Sequence, residues 1–244
     1  MAGQTTVGAQ RLLLDIVGAS HNGKKRDHNE DSYGFDLQRG VAAVADGMGG
    51  FSRGEVASRT AIEALVGAAM AGCELADAFR VADGKVRRLL KPKSDEKVGS
   101  TAVAAAVTGK TLHLGWSGDS RAYLWRNGTL KQLTQDHSFV GELVRRGVIT
   151  EAEAQSHPNR NVVTRGLGLK PDEKNPADVI TLEMEDGDRL LLCTDGLHGY
   201  LPEAAIAEEL GKFARTIPQK LVDRTLAETE AGDNLTAVLM TFAR

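Results

Sequence analysis

Strand-like and helix-like segments come in blocks along this chain, and that order limits the possible folds. Residues 57–68 and 75–89 repeat apolar side chains at helical spacing, and two further helical segments, 202–210 and 217–230, lie near the end. Strand-like segments precede, separate and follow these pairs. A doubly wound parallel sheet would instead alternate single strands and helices. The block order predicts an α+β fold, a four-layer α-β-β-α sandwich with two mostly antiparallel sheets flanked by helix pairs.

The predicted strands are short, and tight turns join several of them. Asn127-Gly128 is the strongest turn signal, because both residues tolerate the backbone of a two-residue hairpin. Residues 138–157 are predicted to form a helical insertion, and 91–97 an exposed loop. No linker divides the chain, so we expect one domain over residues 12–244 after a flexible tail at 1–11. Strands are predicted at 12–18, 32–37, 41–46, 101–108, 111–117, 120–126, 129–133, near 179–183 and 189–194, and at 235–242.

Acidic residues stand beside predicted strand ends in several separate segments. Carboxylates in such places are held on rigid elements, and a neighbouring glycine lets the backbone approach a ligand closely. If they converge, they repel each other unless cations lie between them. Oxygen ligands of this kind favour hard divalent metals. These residues are Glu30 and Asp31 in NED, Asp46 in DGMGG, Asp195 in CTDG and Asp233 in GDN.

Charge and cysteine content exclude several classes of protein. The net charge is −3, from 30 basic and 33 acidic residues, which gives no electrostatic footprint for nucleic acid or an anionic membrane. The apolar run 12–17 is too short for a signal sequence or a membrane span. Cys73 and Cys193 have no zinc-site spacing and are expected to be reduced thiols. We therefore expect a soluble, cytoplasmic protein.

Two segments match known motifs only in part. GWSGD would be a nucleophile elbow, but Asp119 replaces its final glycine. VAAVADGMGG resembles a strand entering a nucleotide-binding turn, but Ser52 stands where the third glycine belongs, and Asp46 would repel a phosphate. Neither segment predicts the site that its motif would imply.

The chemistry-bearing motifs become specific when they are taken in order. Together they closely resemble the metal-dependent Ser/Thr protein phosphatases, the PPM or type 2C family, in their compact bacterial form. The resemblance covers about residues 12–242. The series is GKKRDHNEDS (23–32), ADGMGG (45–50), GSTA (99–102), WSGDSRAYL (116–124), DHS (136–138), CTDGL (193–197) and GDNLT (232–236).

The resemblance implies a two-metal site at the end of a central β-sandwich. Asp46 would bridge both ions, and the carbonyl of Gly47 would bind one of them. Carboxylate, carbonyl and water ligands select Mn²⁺ or Mg²⁺, and a water bridging two such ions would attack phosphorus in line. Matched by motif, the metal ligands are Glu30 and Asp31 (directly or through waters), Asp46, Gly47, Asp195 and Asp233.

Two further residues have roles by resemblance, each beside a structural alternative. Arg26 matches the family's phosphate-binding arginine, whose planar fork suits two phosphate oxygens; the alternative is a surface salt bridge. Asp119 matches an aspartate that, with Asp195, holds a third, weaker metal. The alternative is a carboxylate that orients Arg121 or caps a turn. Asp136 is expected to be structural or to support the site.

The remaining candidates are weaker. Residues 138–165 match the family's flap, where Arg145 belongs to a charged face that either touches substrate or is only solvated. Thr164 and Arg165 are expected on the return strand of this segment, in contact with the core. Asn234 is a candidate for supporting the site or the substrate. Met48 occupies a position where many eukaryotic members carry a histidine proposed as the general acid. A metal-bound water or His21 could donate that proton, although a structural histidine is the simpler interpretation.

The resemblance implies a monomeric protein phosphatase that hydrolyses phosphoserine and phosphothreonine in phosphoprotein substrates. Its implied cofactors are two Mn²⁺ or Mg²⁺ ions, with a third, weaker ion as an option. Its implied biological partner is a bacterial Ser/Thr kinase, whose action it would reverse. Two alternatives stay open: a phosphatase dedicated to one phosphoserine protein of a sigma-factor switch, and an inactive module that only binds phosphoproteins.

Overall fold

The computed structural model describes residues 13–49, 53–89, 98–169, 175–212 and 214–243. The predicted tail at 1–11 and loop at 91–97 lie outside them. The strands are β1 Leu13–His21, β2 Asp31–Asp36, β3 Val41–Met48, β4 Gly99–Ser100, β5 Ala102–Thr108, β6 Thr111–Ser117, β7 Arg121–Arg126, β8 Thr129–Gln132, β9 Asp178–Glu183, β10 Arg189–Cys193 and β11 Leu235–Ala243. The helices are α1 Arg53–Met70, α2 Leu75–Arg87, α3 Phe139–Arg145, α4 Glu151–Ser156, α5 Asp195–His198, α6 Glu203–Leu210 and α7 Ile217–Glu228, with a 3₁₀ turn at Ala214–Thr216.

The strands form two antiparallel sheets that face each other. One has the order β1-β11-β10-β7-β8, and the other β2-β3-β5-β6-β9, with β4 paired to the end of β3. Alternate apolar side chains from both sheets fill the space between them, including Val44, Leu114, Leu192 and Val238. This alternation is expected when each strand has one face toward a partner sheet. The prediction of two mostly antiparallel sheets is confirmed.

Helices cover the outer face of each sheet and complete the four layers. The alanine-rich stripe of α1 packs on β3, where Ala57 and Ala61 join Ala43 and Ala45 in one buried cluster with α2. Small side chains on both elements let the helix lie close to the strand. On the other sheet, α6 and α7 bury Ile206 and other apolar residues against β10 and β11. The predicted pairing of helices on each sheet is confirmed.

Antiparallel pairing brings the acidic segments to one end of the sandwich. Cys193, at the end of β10, pairs with Ala237 near the start of β11. Asp195 therefore follows one strand at the end where Asp233 precedes the other. In the second sheet, Asp31 pairs directly with Asp46 across β2 and β3. The sheet register thus gathers carboxylates that are far apart in sequence.

The insertion differs from its prediction in one respect. It contains two short helices, α3 and α4, and a capping box at Thr150 and Glu153 begins the second. The return strand expected to carry Thr164 and Arg165 does not form: only isolated bridges occur, at Val163 and at Leu167. Both backbone N–H groups at 164 and 165 instead donate to the carbonyl of His137, so they are not available for a strand ladder.

Two further expectations concern the chain as a whole. Cys73 is exposed and Cys193 is buried, and both are free thiols, as predicted. Among the described residues, no helix has the length and apolar character needed to cross a membrane.

Candidate metal centre

A cleft of about 240 Å³ opens at the end of the sandwich where the acidic segments meet. Most of its lining is acidic or polar. Asn161 and Val163 reach it from the segment after α4. The lining residues are Arg26, Glu30, Asp46, Gly47, Met48, Asp119, Asn161, Val163, Asp195, Asp233 and Asn234. Glu30, Asp46, Asp119, Asp195 and Asp233, which belong to separate segments of the sequence, are thus brought together.

Asp46 is fixed by its backbone, which leaves its carboxylate free to face the cleft. Its N–H donates to Thr101 Oγ1 at 3.0 Å, and its carbonyl accepts from the N–H of Thr101 at 2.8 Å and from Ser100 Oγ at 3.0 Å. Burial raises the pKa of this carboxyl well above its usual range, and the neighbouring Asp31 and Asp195 raise it further. A carboxyl in these surroundings ionises readily only when a cation is present.

Asp31 lies behind the cleft and joins the two sheets. Its Oδ2 accepts hydrogen bonds from Thr194 Oγ1 at 2.8 Å and from Thr236 Oγ1 at 2.7 Å, both on the opposite sheet's strand ends. Its Oδ1 is buried and has no hydrogen-bond partner in the part of the chain that the structure describes. Burial is the main reason that its pKa rises to about 7. Although Asp31 does not line the cleft, it contributes negative charge immediately beneath it.

Asp195 and Asp119 form the other side of the cluster. Asp195 Oδ1 is also buried without a partner, and burial followed by the charge of Asp233 raises the pKa of Asp195 to about 6. Burial and Asp195 raise the pKa of Asp119 well above its ordinary value. Arg121 donates to both oxygens of Asp136, at 2.9 and 2.7 Å, so Asp136 rather than Asp119 holds this guanidinium by hydrogen bonds. Asp136 therefore has the structural role expected for it.

Arg26 lies at the edge of the cleft and contacts Asp233. Its Nη2 donates to Asp233 Oδ2 at 2.9 Å. The loop that carries it is fastened to the turn before β11, because the N–H of Lys24 donates to the carbonyl of Ala231 at 2.7 Å. Gly23 has φ +78°, and a side chain there would collide with the carbonyl of Asp233. The guanidinium is therefore held beside the acidic cluster, which is also where a phosphate would need it.

Asn234 holds the loop before β2 against the start of β11. Its Oδ1 accepts from the N–H of Glu30 at 2.8 Å, and its Nδ2 donates to the carbonyls of Asn22 at 2.9 Å and His28 at 2.8 Å. The side chain is only 4% exposed. Asn234 thus sets the position of the whole loop that carries Arg26 and Glu30.

Changing Asn234 to alanine is expected to destabilise the protein by about 2 kcal/mol or more, because buried backbone groups lose their partners. Chemical denaturation measures this change. The exposed Asn159 is the control, and its alanine variant should unfold like the wild type. Equal unfolding of both variants would contradict the role given to Asn234.

Besides Asp31, two sequence candidates lie away from the cleft lining. His21 is exposed, and its Nδ1 accepts from the N–H of Gly23 at 3.0 Å, so the structural interpretation of this histidine is the better one. Arg145 is exposed and pairs with Glu142 at 2.7 Å. The alternative in which the charged face of Arg145 is only solvated therefore fits the structure better than contact with substrate. Glu30 does line the cleft.

Several residues that shape the site were not selected from the sequence. Thr194 and Thr236 hold Asp31, Thr101 holds Asp46, and His198 contacts the loop of Asp119. The three threonines belong to the quoted motifs CTDGL, GDNLT and GSTA. The quoted motifs therefore included these hydroxyls, but the neighbouring residues in the sequence did not indicate which groups they would contact. Asn161 also lines the cleft, but it belongs to none of the quoted motifs, so the sequence gave no signal for it.

The residues present fit hard divalent cations. All the candidate ligands are oxygens, and several carboxylates have pKa values raised by burial and then by neighbouring carboxylates. Asp31 and Asp195 each keep a buried oxygen without a hydrogen-bond partner in the described ranges of the chain. Such a cluster is stabilised by Mn²⁺ or Mg²⁺. Among the described residues, no three acidic, histidine or cysteine side chains surround one point on their own. Carbonyl and water oxygens would have to complete the coordination.

Comparison with known proteins gives one consistent result. Residues 17–239 match the family model described as protein phosphatase 2C. A Listeria monocytogenes protein named serine/threonine phosphatase stp is 36% identical over 235 residues, which cover 89% of this chain and 92% of that protein.

Solved structures agree with that match. The Mycobacterium tuberculosis serine/threonine phosphatase PstP/Ppp has a TM-score of 0.86 at 34% identity, covering 95% of this chain and 99% of that one. The catalytic domain of the serine threonine protein phosphatase PstP in complex with two manganese ions has a TM-score of 0.85 at 32% identity, covering 96% of this chain and 100% of that one.

Proposed function

We infer that this chain, which belongs to the protein phosphatase 2C family, hydrolyses phosphoserine and phosphothreonine in proteins with Mn²⁺ or Mg²⁺ held in its acidic cleft. The observation that carries this function is the convergence of carboxylates from separate segments beside Arg26. Burying this many carboxylates in their charged form raises the free energy of the folded protein unless cations are bound. A guanidinium next to it suits the phosphoryl group of a substrate.

The role proposed for each residue follows from its position in or beneath the cleft. Two bound divalent ions supply an activated water and neutralise charge on the phosphoryl oxygens. Asp46 and the carbonyl of Gly47, which both line the cleft, would hold these ions. Asp195, Asp233 and Glu30 would supply further oxygens, and Asp31 would support them with its negative charge. No nucleophilic side chain is required.

Arg26 is proposed to orient the phosphate. Its guanidinium already contacts Asp233, and Asp233, Asp46 and Glu30 all favour its charged form. A planar fork can donate to two phosphate oxygens at once. The leaving alkoxide is proposed to take its proton from water in the cleft, because Met48 has no proton to give and His21 is not among the lining residues described.

Changing Arg26 to alanine is expected to lower kcat/KM for a phosphothreonine peptide by about 10²-fold, because a charge-assisted contact to the phosphate is lost. Most of the loss should appear in KM if Arg26 binds the ground-state phosphate. Steady-state phosphate release measures both constants. Lys25, which is exposed and paired with Glu230, is the neighbouring control. An equal loss in Lys25→Ala would indicate general electrostatic attraction rather than a specific contact by Arg26.

The decisive test of the function is phosphate release from a phosphothreonine peptide, first with Mn²⁺ and then with EDTA. We expect release only with metal, and no effect of inhibitors of the okadaic-acid type. Absence of release while calorimetry still detects Mn²⁺ binding would instead favour an inactive phosphoprotein-binding module.

The biological setting is proposed in the same way. The chain is proposed to reverse a bacterial Ser/Thr kinase, since the matched relatives from Listeria and Mycobacterium are named serine/threonine phosphatases. That naming makes a phosphatase dedicated to one sigma-factor regulator the less favoured alternative. A panel of phosphoproteins, including kinase activation segments, would separate the two. A cytoplasmic location and a monomeric state are proposed from the family resemblance alone.

A further inference from the structure

The loop that carries Asp119 has an unusual backbone and is held from several sides. It joins β6 to β7, and Gly118 within it has φ +107°. The N–H of Gly118 donates to His137 Nδ1 at 3.1 Å, and its carbonyl accepts from the N–H of His137 at 2.9 Å. Ser120 Oγ and Thr101 Oγ1 are 2.7 Å apart. These contacts fix the residues on both sides of Asp119.

The contact to Asp119 itself comes from His198. His198 Nε2 lies 3.0 Å from the backbone carbonyl oxygen of Asp119. Because a carbonyl only accepts, Nε2 must carry the proton. This hydrogen bond needs only the Nε2–H, so it does not depend on the protonation state of the other ring nitrogen.

His198 also belongs to the element that presents Asp195. It is the last residue of the four-residue helix that Asp195 begins. The hydrogen bond therefore connects the helix turn of one carboxylate to the loop of the other. After burial, the charge of Asp195 is the main reason that the pKa of Asp119 is raised, so the two carboxylates lie close enough to repel each other. The hydrogen bond from His198 opposes this repulsion directly, because it ties the backbone of Asp119 to the turn that carries Asp195.

We propose that His198 is a positioning residue, which sets the separation of the Asp119 and Asp195 carboxylates and thereby the affinity of a divalent cation held between them. This inference rests on the metal centre proposed above, and concerns its weakest ion rather than the pair at Asp46. A partner that orients a metal ligand through a hydrogen bond is worth about 10- to 100-fold in metal affinity. The competing interpretation is that His198 only fills space between α5 and the loop.

The test compares His198→Leu, which keeps bulk but removes the donor, with His198→Gln, which keeps an N–H. Metal-stripped protein is titrated with Mn²⁺ by calorimetry. We expect wild type to show tight binding and a weaker component that Asp119→Asn removes. His198→Leu should weaken that component about tenfold and leave tight binding nearly unchanged, while His198→Gln restores most of the affinity. In the Asp119→Asn background, His198→Leu should have no further effect.

Each other result overturns the inference. If the weaker component is missing in wild type or survives Asp119→Asn, Asp119 holds no cation for His198 to influence. If His198→Leu weakens all binding equally and His198→Gln does not restore it, His198 has only a packing role. Phosphate release measured in parallel distinguishes failure of this inference from failure of the proposed function. If wild type binds Mn²⁺ in a way that depends on His198 but releases no phosphate, only the proposed function is contradicted.

Discussion

Changing Asp46 to alanine is expected to abolish phosphate release, by roughly 10³-fold or more, while the fold survives. Asp46 is the proposed ligand of both core ions, so its loss removes the activated water and the charge neutralisation together. The fold should survive because the backbone of Asp46, rather than its carboxylate, bonds to Ser100 and Thr101. Release from a phosphothreonine peptide with saturating Mn²⁺ measures the effect, and circular dichroism checks the fold.

Two comparisons sharpen this experiment. Asp233→Ala should be similarly inactive, since Asp233 is proposed to hold one of the same ions. Asp223→Asn, an exposed carboxylate on α7, should keep wild-type rates and controls for loss of one negative charge. Wild-type turnover in Asp46→Ala or Asp233→Ala would refute the assignment of the metal centre.

Changing Asp46 to asparagine is expected to stabilise the metal-free protein at pH 8, although it inactivates the enzyme. Burial and like charges raise the pKa of Asp46 well above its unfolded value of about 3.8, and that of Asp31 to about 7. A raised carboxyl pKa contributes stability at low pH that is lost as pH rises through the folded-state pKa. Because asparagine carries no charge, the variant avoids this loss of stability at high pH. We expect its Tm to rise by roughly 3–8 °C.

The pH dependence of this gain distinguishes it from a general improvement in packing. In EDTA, the difference in Tm between Asp46→Asn and wild type should shrink from pH 8 toward pH 5, where these carboxyls of the wild type are largely protonated. The buried histidines affect both proteins equally and cancel in the difference. With Mn²⁺ the order should reverse, because only wild type gains the full free energy of metal binding. A pH-independent difference would exclude charge repulsion as the cause.

Local sequence patterns were sufficient for most of the architecture. The helical stripe of α1 and α2, the strand pattern of β3 and the hairpin at Asn127-Gly128 each describe contacts between near neighbours, and all appear in the structure. The return strand at 164–165 was predicted wrongly, because the carbonyl of His137 takes the two N–H groups that a ladder would need. The short helix α5 was missed because four residues are too few to show helical periodicity.

The sequence by itself determined which carboxylates are available for a metal centre and which ends of the strands carry them. Their motifs in order also identified the family. Only the tertiary structure decided how those carboxylates are held. The carboxylate of Asp31 accepts hydrogen bonds from Thr194 and Thr236, which lie 163 and 205 positions away in the sequence. The backbone carbonyl of Asp119 accepts one from His198, which lies 79 positions away. Strand and helix periodicity reflects interactions between neighbouring residues, whereas these hydrogen bonds exist only after the two sheets have packed and brought their ends together.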